Sequence, residues 1–298
     1  MKLLKKRGGY VQTHGRTTRL ARSARVTSIT LVLSLMTNSR VLSKLRKGEI
    51  VKTAGISRLT DPWITEIVGI LGFDQVWLDL EHRTFSEEII APISLACRST
   101  GIDLMVRIRK SGYDSPMRAL EFGANGLMVP HCRSAAEALQ WVEWCRFPPL
   151  GKRGLDGAGV DARYGLDSTL DHLRHANEET FLVLQIEDRE AVECIDDIAA
   201  VKGVDVLFIG PGDLTLSYGV PLQFRHPDIL RARDRVANAA AKAGIWWGTT
   251  TANAEAAQEV VDLGCRMITC GGDHGALIQG LQNSLQSFAG VSVRAGSK

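Results

Sequence analysis

The chain has 298 residues, 45% of them hydrophobic, with 29 glycines and a formal net charge of +3. That composition is globular, and the length suits one large α/β barrel or two ordinary domains. The charge is unevenly spread. Residues 1–48 hold twelve Lys or Arg and no acid, while residues 49–298 hold 24 basic and 33 acidic side chains, a net of −9. A mildly acidic body argues against a nucleic-acid-binding face there.

Residues 1–37 are basic, rich in Ser and Thr, and end in the apolar run "ITLVLSLM". That run is too short to span a bilayer, so no membrane role is expected. Two readings stay open: an organellar transit peptide or weak secretory signal, or an extension ahead of a true start at Met36. The folded domain is expected over residues 38–289, with a tail at 290–298.

From residue 49 onward one unit recurs: a short apolar run, a polar or glycine-bearing turn, then an amphipathic stretch. The pattern predicts strands at 50–56, 75–80, 104–108, 126–129, 181–186, 206–210, 245–248 and 267–270. Helical patterns lie between most of them, including "DPWITEIVGILG", "SAAEALQWVEWC", "REAVECIDDIAAV" and "NAEAAQEVVDLG". Ser134 and Asn253 stand where N-caps belong, Gly203 and Gly264 where C-caps belong. Eight such units predict a (β/α)8 TIM barrel. A doubly wound open sheet is disfavoured, because no G-x-G-x-x-G follows the first strand. The segment "RFPPLGKRGLDGAGVDARYG" reads as an extended loop over one end of the barrel. The six cysteines form no C-x-x-C pair and no cluster with zinc-ligand spacing. They read as reduced thiols in a cytoplasmic compartment, organellar if residues 1–35 prove to be a transit peptide.

In such barrels chemistry gathers at the C-terminal strand ends. Reading just past each strand gives Asp79, Glu81 and His82 on the second, and Arg107 and Arg109 on the third. The fourth gives His131, and the fifth Gln185, Glu187 and Asp188. The sixth gives Asp213 behind Gly210-Pro211-Gly212, the seventh Thr249 and Thr250, and the eighth Asp273 and His274. Glu187 and Asp213 fall on adjacent strands. Two carboxylates facing one cavity repel, so one is protonated or both share a cation. Hard oxygen donors favour Mg²⁺ or Mn²⁺; alternatively each acid caps its following helix. Arg107 suits a carboxylate or phosphate, or else a buried ion pair with Asp79 or Glu187. His82 is either an exposed loop histidine or a base whose tautomer Asp79 fixes. The turn at 210–213 is either an anion nest or an ordinary strand-to-helix turn. His131 and His274 rank behind His82. No nucleophilic-serine elbow is present, and Lys110 is poorly placed for a Schiff base.

Taken together, "WLDLEH", "MVRI", "GANGLMVPHCRSAAEA", "PPLGKRG", "LQIEDREAVECIDDI" and "GVDVLFIGPGDLT" resemble the HpcH/HpaI-type class II pyruvate aldolases from about residue 39 to 289. The resemblance implies a metal-dependent (β/α)8 barrel, commonly hexameric, acting in aromatic or sugar acid catabolism. Such enzymes cleave or form 4-hydroxy-2-oxo acids, as pyruvate plus an aldehyde, through a metal-stabilised pyruvate enolate. By resemblance Glu187 and Asp213 hold the divalent cation: Mg²⁺ or Mn²⁺, with Co²⁺ or Zn²⁺ as alternatives. Arg107 holds pyruvate, His82 with Asp79 forms the base dyad, and Gln185 orients ligand or water. The backbone of Gly210, Pro211 and Gly212 receives the pyruvate carboxylate. Gly212 and Thr215 stand where many relatives carry Ala and Ser. The rival expectation is a related lyase acting on a citryl- or malyl-coenzyme A ester, for which no dedicated basic cluster is evident near the mouth.

Overall fold

The structure, a computed structural model, describes residues 38–292. The expected targeting segment or late start within residues 1–37 lies outside the described residues, as does 293–298 of the expected tail. Eight parallel strands close into a barrel in chain order. They are β1 (Val51–Ile56), β2 (Gln75–Asp79), β3 (Asp103–Arg107), β4 (Gly126–Val129), β5 (Phe181–Ile186), β6 (Val206–Ile209), β7 (Trp246–Thr250) and β8 (Met267–Gly272). The TIM-barrel expectation holds.

Side chains alternate along each strand, and that alternation builds two cores. Val76, Leu78, Leu104, Val106, Leu182, Leu184, Leu207 and Ile209 point outward to the helices. Val51, Met105, Met128, Phe181, Val183, Val206, Phe208 and Met267 fill the interior. Gly126 is glycine for a packing reason: a Cβ there would lie 2.0 Å from the Phe181 ring.

A helix that the strand pattern does not announce, α1 (Arg40–Arg46), closes the N-terminal end of the barrel. Its Val41, Leu42 and Leu45 join the interior cluster. Ser39 caps α1 by accepting from Leu42 N–H and donates to Asp103 Oδ2 at 2.6 Å. Val41 N–H donates to the same oxygen at 2.9 Å. Arg40 and Lys44 pair with Asp74, at 2.9 and 2.8 Å. Basic residues of α1 thus face acids at the starts of strands.

The predicted helices appear as α2 (Pro62–Ile70), α5 (Ala135–Cys145) and α11 (Ala254–Asp262). Ser134 and Asn253 accept from the third residue beyond each cap, and Gly203 and Gly264 adopt positive φ. "REAVECIDDIAAV" is not one helix. It breaks at Cys194 (φ −111°, ψ 24°) into α7 (Arg189–Glu193) and α8 (Ile195–Ala199). Besides α1 and the last helix, five more helices lie where no helical pattern was quoted. They are α3 (Ile90–Thr100), α4 (Asp114–Glu121), α6 (Thr169–Glu179), α9 (Pro211–Ser217) and α10 (Pro227–Ala243). The loop at 146–165 corrects another expectation, because it lies along the flank of α4 rather than over one end. Gly154 N–H donates to the Tyr113 hydroxyl, and Val160 N–H to the Glu121 carbonyl at 2.9 Å.

The last helix, α12 (Asp273–Ser287), buries little besides Asp273. Leu277, Ile278, Leu281, Leu285 and, just beyond the helix, Phe288 are exposed, Leu285 by 78%. All six cysteines are free, and among the described residues no helix is long and apolar enough to cross a membrane.

Candidate active site

Period-two alternation builds the site directly on the interior core. Asp79, Arg107 and Gln185 stand two residues beyond Trp77, Met105 and Val183, on the same inward face. Asp79 and Arg107 are register partners across β2 and β3. Their side chains form a two-point pair, with Nε donating to Oδ1 at 3.0 Å and a terminal nitrogen to Oδ2 at 2.9 Å. A second terminal nitrogen lies 3.1 Å from a Glu81 oxygen and 3.5 Å from Gln185 Oε1. The guanidinium sits 4.9 Å above the Trp77 ring, which packs edge-on against Phe208. Burial by itself would raise the Asp79 carboxyl, but the Arg107 bonds and charge outweigh it and hold the group below the usual range.

The Asp79–His82 dyad is not formed as expected. Asp79 Oδ1 accepts the backbone N–H of Glu81 at 3.1 Å and of His82 at 3.4 Å, which fixes the turn rather than the imidazole. The His82 ring is half exposed and lies 3.6 Å from a Glu81 carboxylate oxygen.

Glu187 is 1% exposed. Its Oε1 accepts from the His131 backbone N–H at 3.0 Å and its Oε2 from Gln185 Nε2 at 2.6 Å. Burial is the largest cause pushing this carboxyl up to about 7, with Asp213 and Glu81 adding repulsion while His131 opposes them. Gly210 is glycine because a Cβ there would meet Glu187 Oε2 at 2.1 Å and Gln185 Nε2 at 2.7 Å. The Gly-Pro-Gly turn therefore lies against the Glu187–Gln185 pair. Asp213, in the first turn of α9, lines an open cavity of about 590 Å³ with Glu187, His131, Arg133 and Asp188.

The profile of the HpcH/HpaI aldolase/citrate lyase family matches residues 57–280. The chain belongs to this family. A Pseudomonas aeruginosa hydroxypyruvate/pyruvate aldolase is 31% identical over 255 residues, 85% of this chain and 93% of that one. A 4-hydroxy-4-methyl-2-oxoglutarate aldolase of Chaetomium globosum is 32% identical over 209 residues, 69% of this chain and 77% of its own length. Among solved structures, an HpcH/HpaI aldolase from Desulfitobacterium hafniense superposes with a TM-score of 0.81 at 30% identity, covering 85% of this chain and 97% of the other.

In this HpcH/HpaI chain two carboxylates, Glu187 and Asp213, are the residues that could hold a cation. Among the described residues no group of three or more His, Cys, Asp or Glu side chains is arranged to hold a metal. Glu187 and Asp213 fit a hard divalent ion on chemical grounds. Both are oxygen donors on one cavity, and the buried Glu187 is a poor place for uncompensated negative charge.

The remaining strand-end residues divide between ties and site. Asp273 accepts the backbone N–H groups of Ser57, Arg58 and Leu59 at 3.0, 2.6 and 2.7 Å, so it staples the loop after β1. His274 is exposed. Arg109 donates to the carbonyls of Arg83 and Phe85, and Thr249 to that of Ile209. His131, ranked low from sequence, is central: its Nδ1 lies 3.0 Å from Asp188 and 3.5 Å from Glu187, and its Nε2 lies 3.9 Å from Glu81. Its position after a strand was the only available signal.

Proposed function

We propose that this protein is a divalent-cation-dependent aldolase that cleaves or forms 4-hydroxy-2-oxo acids, as pyruvate plus an aldehyde. The observation that carries the reading is the convergence of Arg107, Gln185, Glu187 and Gly210 at one barrel mouth, beside the cavity that Glu187 shares with Asp213. Aldolase names among relatives that cover most of the chain support it. Glu187 and Asp213 would hold the cation, Mg²⁺ or Mn²⁺, which supplies Lewis acidity to the 2-oxo group of the bound acid.

The rest of the chemistry is assigned to the chain's own groups. Arg107, locked by Asp79 and Glu81 over Trp77, presents a fixed positive charge where the enolate oxygen of pyruvate develops. The turn Gly210-Pro211-Gly212 receives the pyruvate carboxylate on the backbone N–H groups of Gly212 and Asp213, the Gly210 N–H being donated to the Ile186 carbonyl and Pro211 having none. Gln185 orients ligand or water while bracing Glu187. His82 takes the proton of the 4-hydroxyl as the C3–C4 bond breaks. Asp79 serves His82 through the backbone of the turn, and Glu81 is the carboxylate nearest its ring. We further read the protein as a homo-oligomer, with a hexamer as the expected form, supported by the exposed apolar stripe of α12. A cytoplasmic location is supported by six free cysteines.

The test is a screen of 4-hydroxy-2-oxo acids for pyruvate release, run on EDTA-treated protein and again after Mn²⁺ addition. Activity is expected only in the second arm and is expected to vanish in Glu187→Gln. Undiminished turnover by stripped protein overturns the reading.

A further inference from the structure

We propose that His131 is a positioning residue whose left-handed backbone aims its own N–H at Glu187 and so sets that carboxylate for cation binding. The inference rests on the reading of Glu187 and Asp213 as the cation pair.

His131 has φ of 49°, a region that side-chain-bearing residues avoid because Cβ crowds the backbone. It lies on the loop after β4, one residue before the buried Cys132. Three ties hold the strained residue in place. Its carbonyl accepts from Lys110 Nζ at 2.9 Å. Its ring Nδ1 lies 3.0 Å from Asp188 Oδ2, and the other Asp188 oxygen accepts from Arg133 at 3.1 Å. Its backbone N–H donates to Glu187 Oε1 at 3.0 Å. Strain held by this many independent contacts marks a conformation that the surroundings impose.

The consequence falls on Glu187. An ionised carboxylate has about four lone-pair sites, two on each oxygen. Gln185 occupies one site on Oε2 and the His131 amide one on Oε1, so each oxygen keeps one free. With both oxygens tethered, the carboxylate plane is fixed relative to Asp213 across the cavity. Without the His131 amide it is held at Oε2 alone and can rotate about its terminal torsion. Outer-shell hydrogen bonds of this kind typically tune metal affinity by about 10–100-fold.

The backbone argument separates cleanly from the ring. Glycine adopts positive φ freely, whereas a β-branched residue resists it. His131→Gly removes the ring but keeps the amide in place; His131→Val removes the ring and displaces the amide. The readout is Mn²⁺ affinity of the cation-free, folded full-length protein, measured from the free-ion EPR signal during titration. His131→Val is expected to bind Mn²⁺ at least about tenfold more weakly than the parent, and His131→Gly to stay within about threefold of it. If His131→Val does not fold, His131→Ala replaces it, with a loss of the same sign. Unchanged affinity in the folded Val or Ala variant overturns the proposal. So does an equal loss in Gly and Val, which assigns the effect to the ring. A merely structural role lowers Tm and leaves Mn²⁺ affinity untouched. Parent protein that binds no Mn²⁺ overturns the cation-pair reading itself, a result distinct from either variant outcome.

Discussion

Arg107 and Asp79 face each other across neighbouring strands and join through two hydrogen bonds, at 3.0 and 2.9 Å. The arginine is thus committed before any substrate arrives, and its other terminal nitrogen, 3.1 Å from Glu81, is the one a ligand would have to share. Removing one partner of a buried pair leaves the other charge uncompensated. Arg107→Met is expected to lower stability by about 3 kcal/mol and to reduce kcat/KM by at least about 100-fold. Chemical denaturation and steady-state kinetics measure the two effects. A stable variant of ordinary activity removes Arg107 from the site.

Gly210→Ala adds only one methyl, but it would sit 2.1 Å from Glu187 Oε2. The carboxylate must swing away or the turn must shift, a cost of about 1–3 kcal/mol. The expected result is a folded barrel of slightly lower Tm with cleavage depressed about 100-fold, read by pyruvate release.

His82 is the one proposed catalytic side chain that solvent reaches freely. His82→Ala is expected to cut cleavage by about 100-fold, in line with the loss of a general base. Deuterium exchange into pyruvate should fall much less, since it needs no 4-hydroxyl. NMR of the methyl signal separates the two, and equal loss of both moves His82 to an enolate role.

Asp103, beneath α1, is fully buried, and burial pushes its carboxyl up to about 6 from 3.8. The native state therefore binds the proton more tightly than the unfolded chain. Stability from this group is complete below pH 3.8 and is lost as pH rises through about 6, on the order of 3 kcal/mol in all. Asp103→Asn keeps an acceptor for Ser39 and Val41 and carries no charge. Its denaturation free energy should lack that decline between pH 4 and pH 7. A parallel decline in the variant assigns the pH dependence elsewhere.

Leu281 and Leu285 lie one turn apart on the exposed stripe of α12. Leu281→Glu with Leu285→Glu should leave the barrel folded and reduce the oligomer to smaller species by light scattering. An unchanged mass clears this helix of any role in assembly.

The strands were readable because each is a short, β-leaning apolar run, and period two then placed Asp79, Arg107 and Gln185 on one face. Glu187 and Asp213 were readable as acids just past adjacent strands. Other features depend on contacts that no local pattern encodes. The expected strand at 104–108 stops one residue short of Asp103, whose partner Ser39 is 64 positions away and leaves no local sign. The break at Cys194 interrupts a helical pattern that is unbroken in sequence. Asp79 had two expected partners, the His82 ring three residues on and a buried ion pair with Arg107; the β2–β3 register decides for Arg107, and local spacing could not. The left-handed turn of His131 has no signature at all in a residue of that type.

Val41, Leu42 and Leu45 of α1 pack into one cluster with Met105, Met128, Phe181 and Phe208, so among the described residues the far end of the barrel is filled by side chains. The plugged end gives the barrel a stiff floor, and the open cavity beside Glu187 and Asp213 lies at the opposite end, where loops can vary without disturbing that floor.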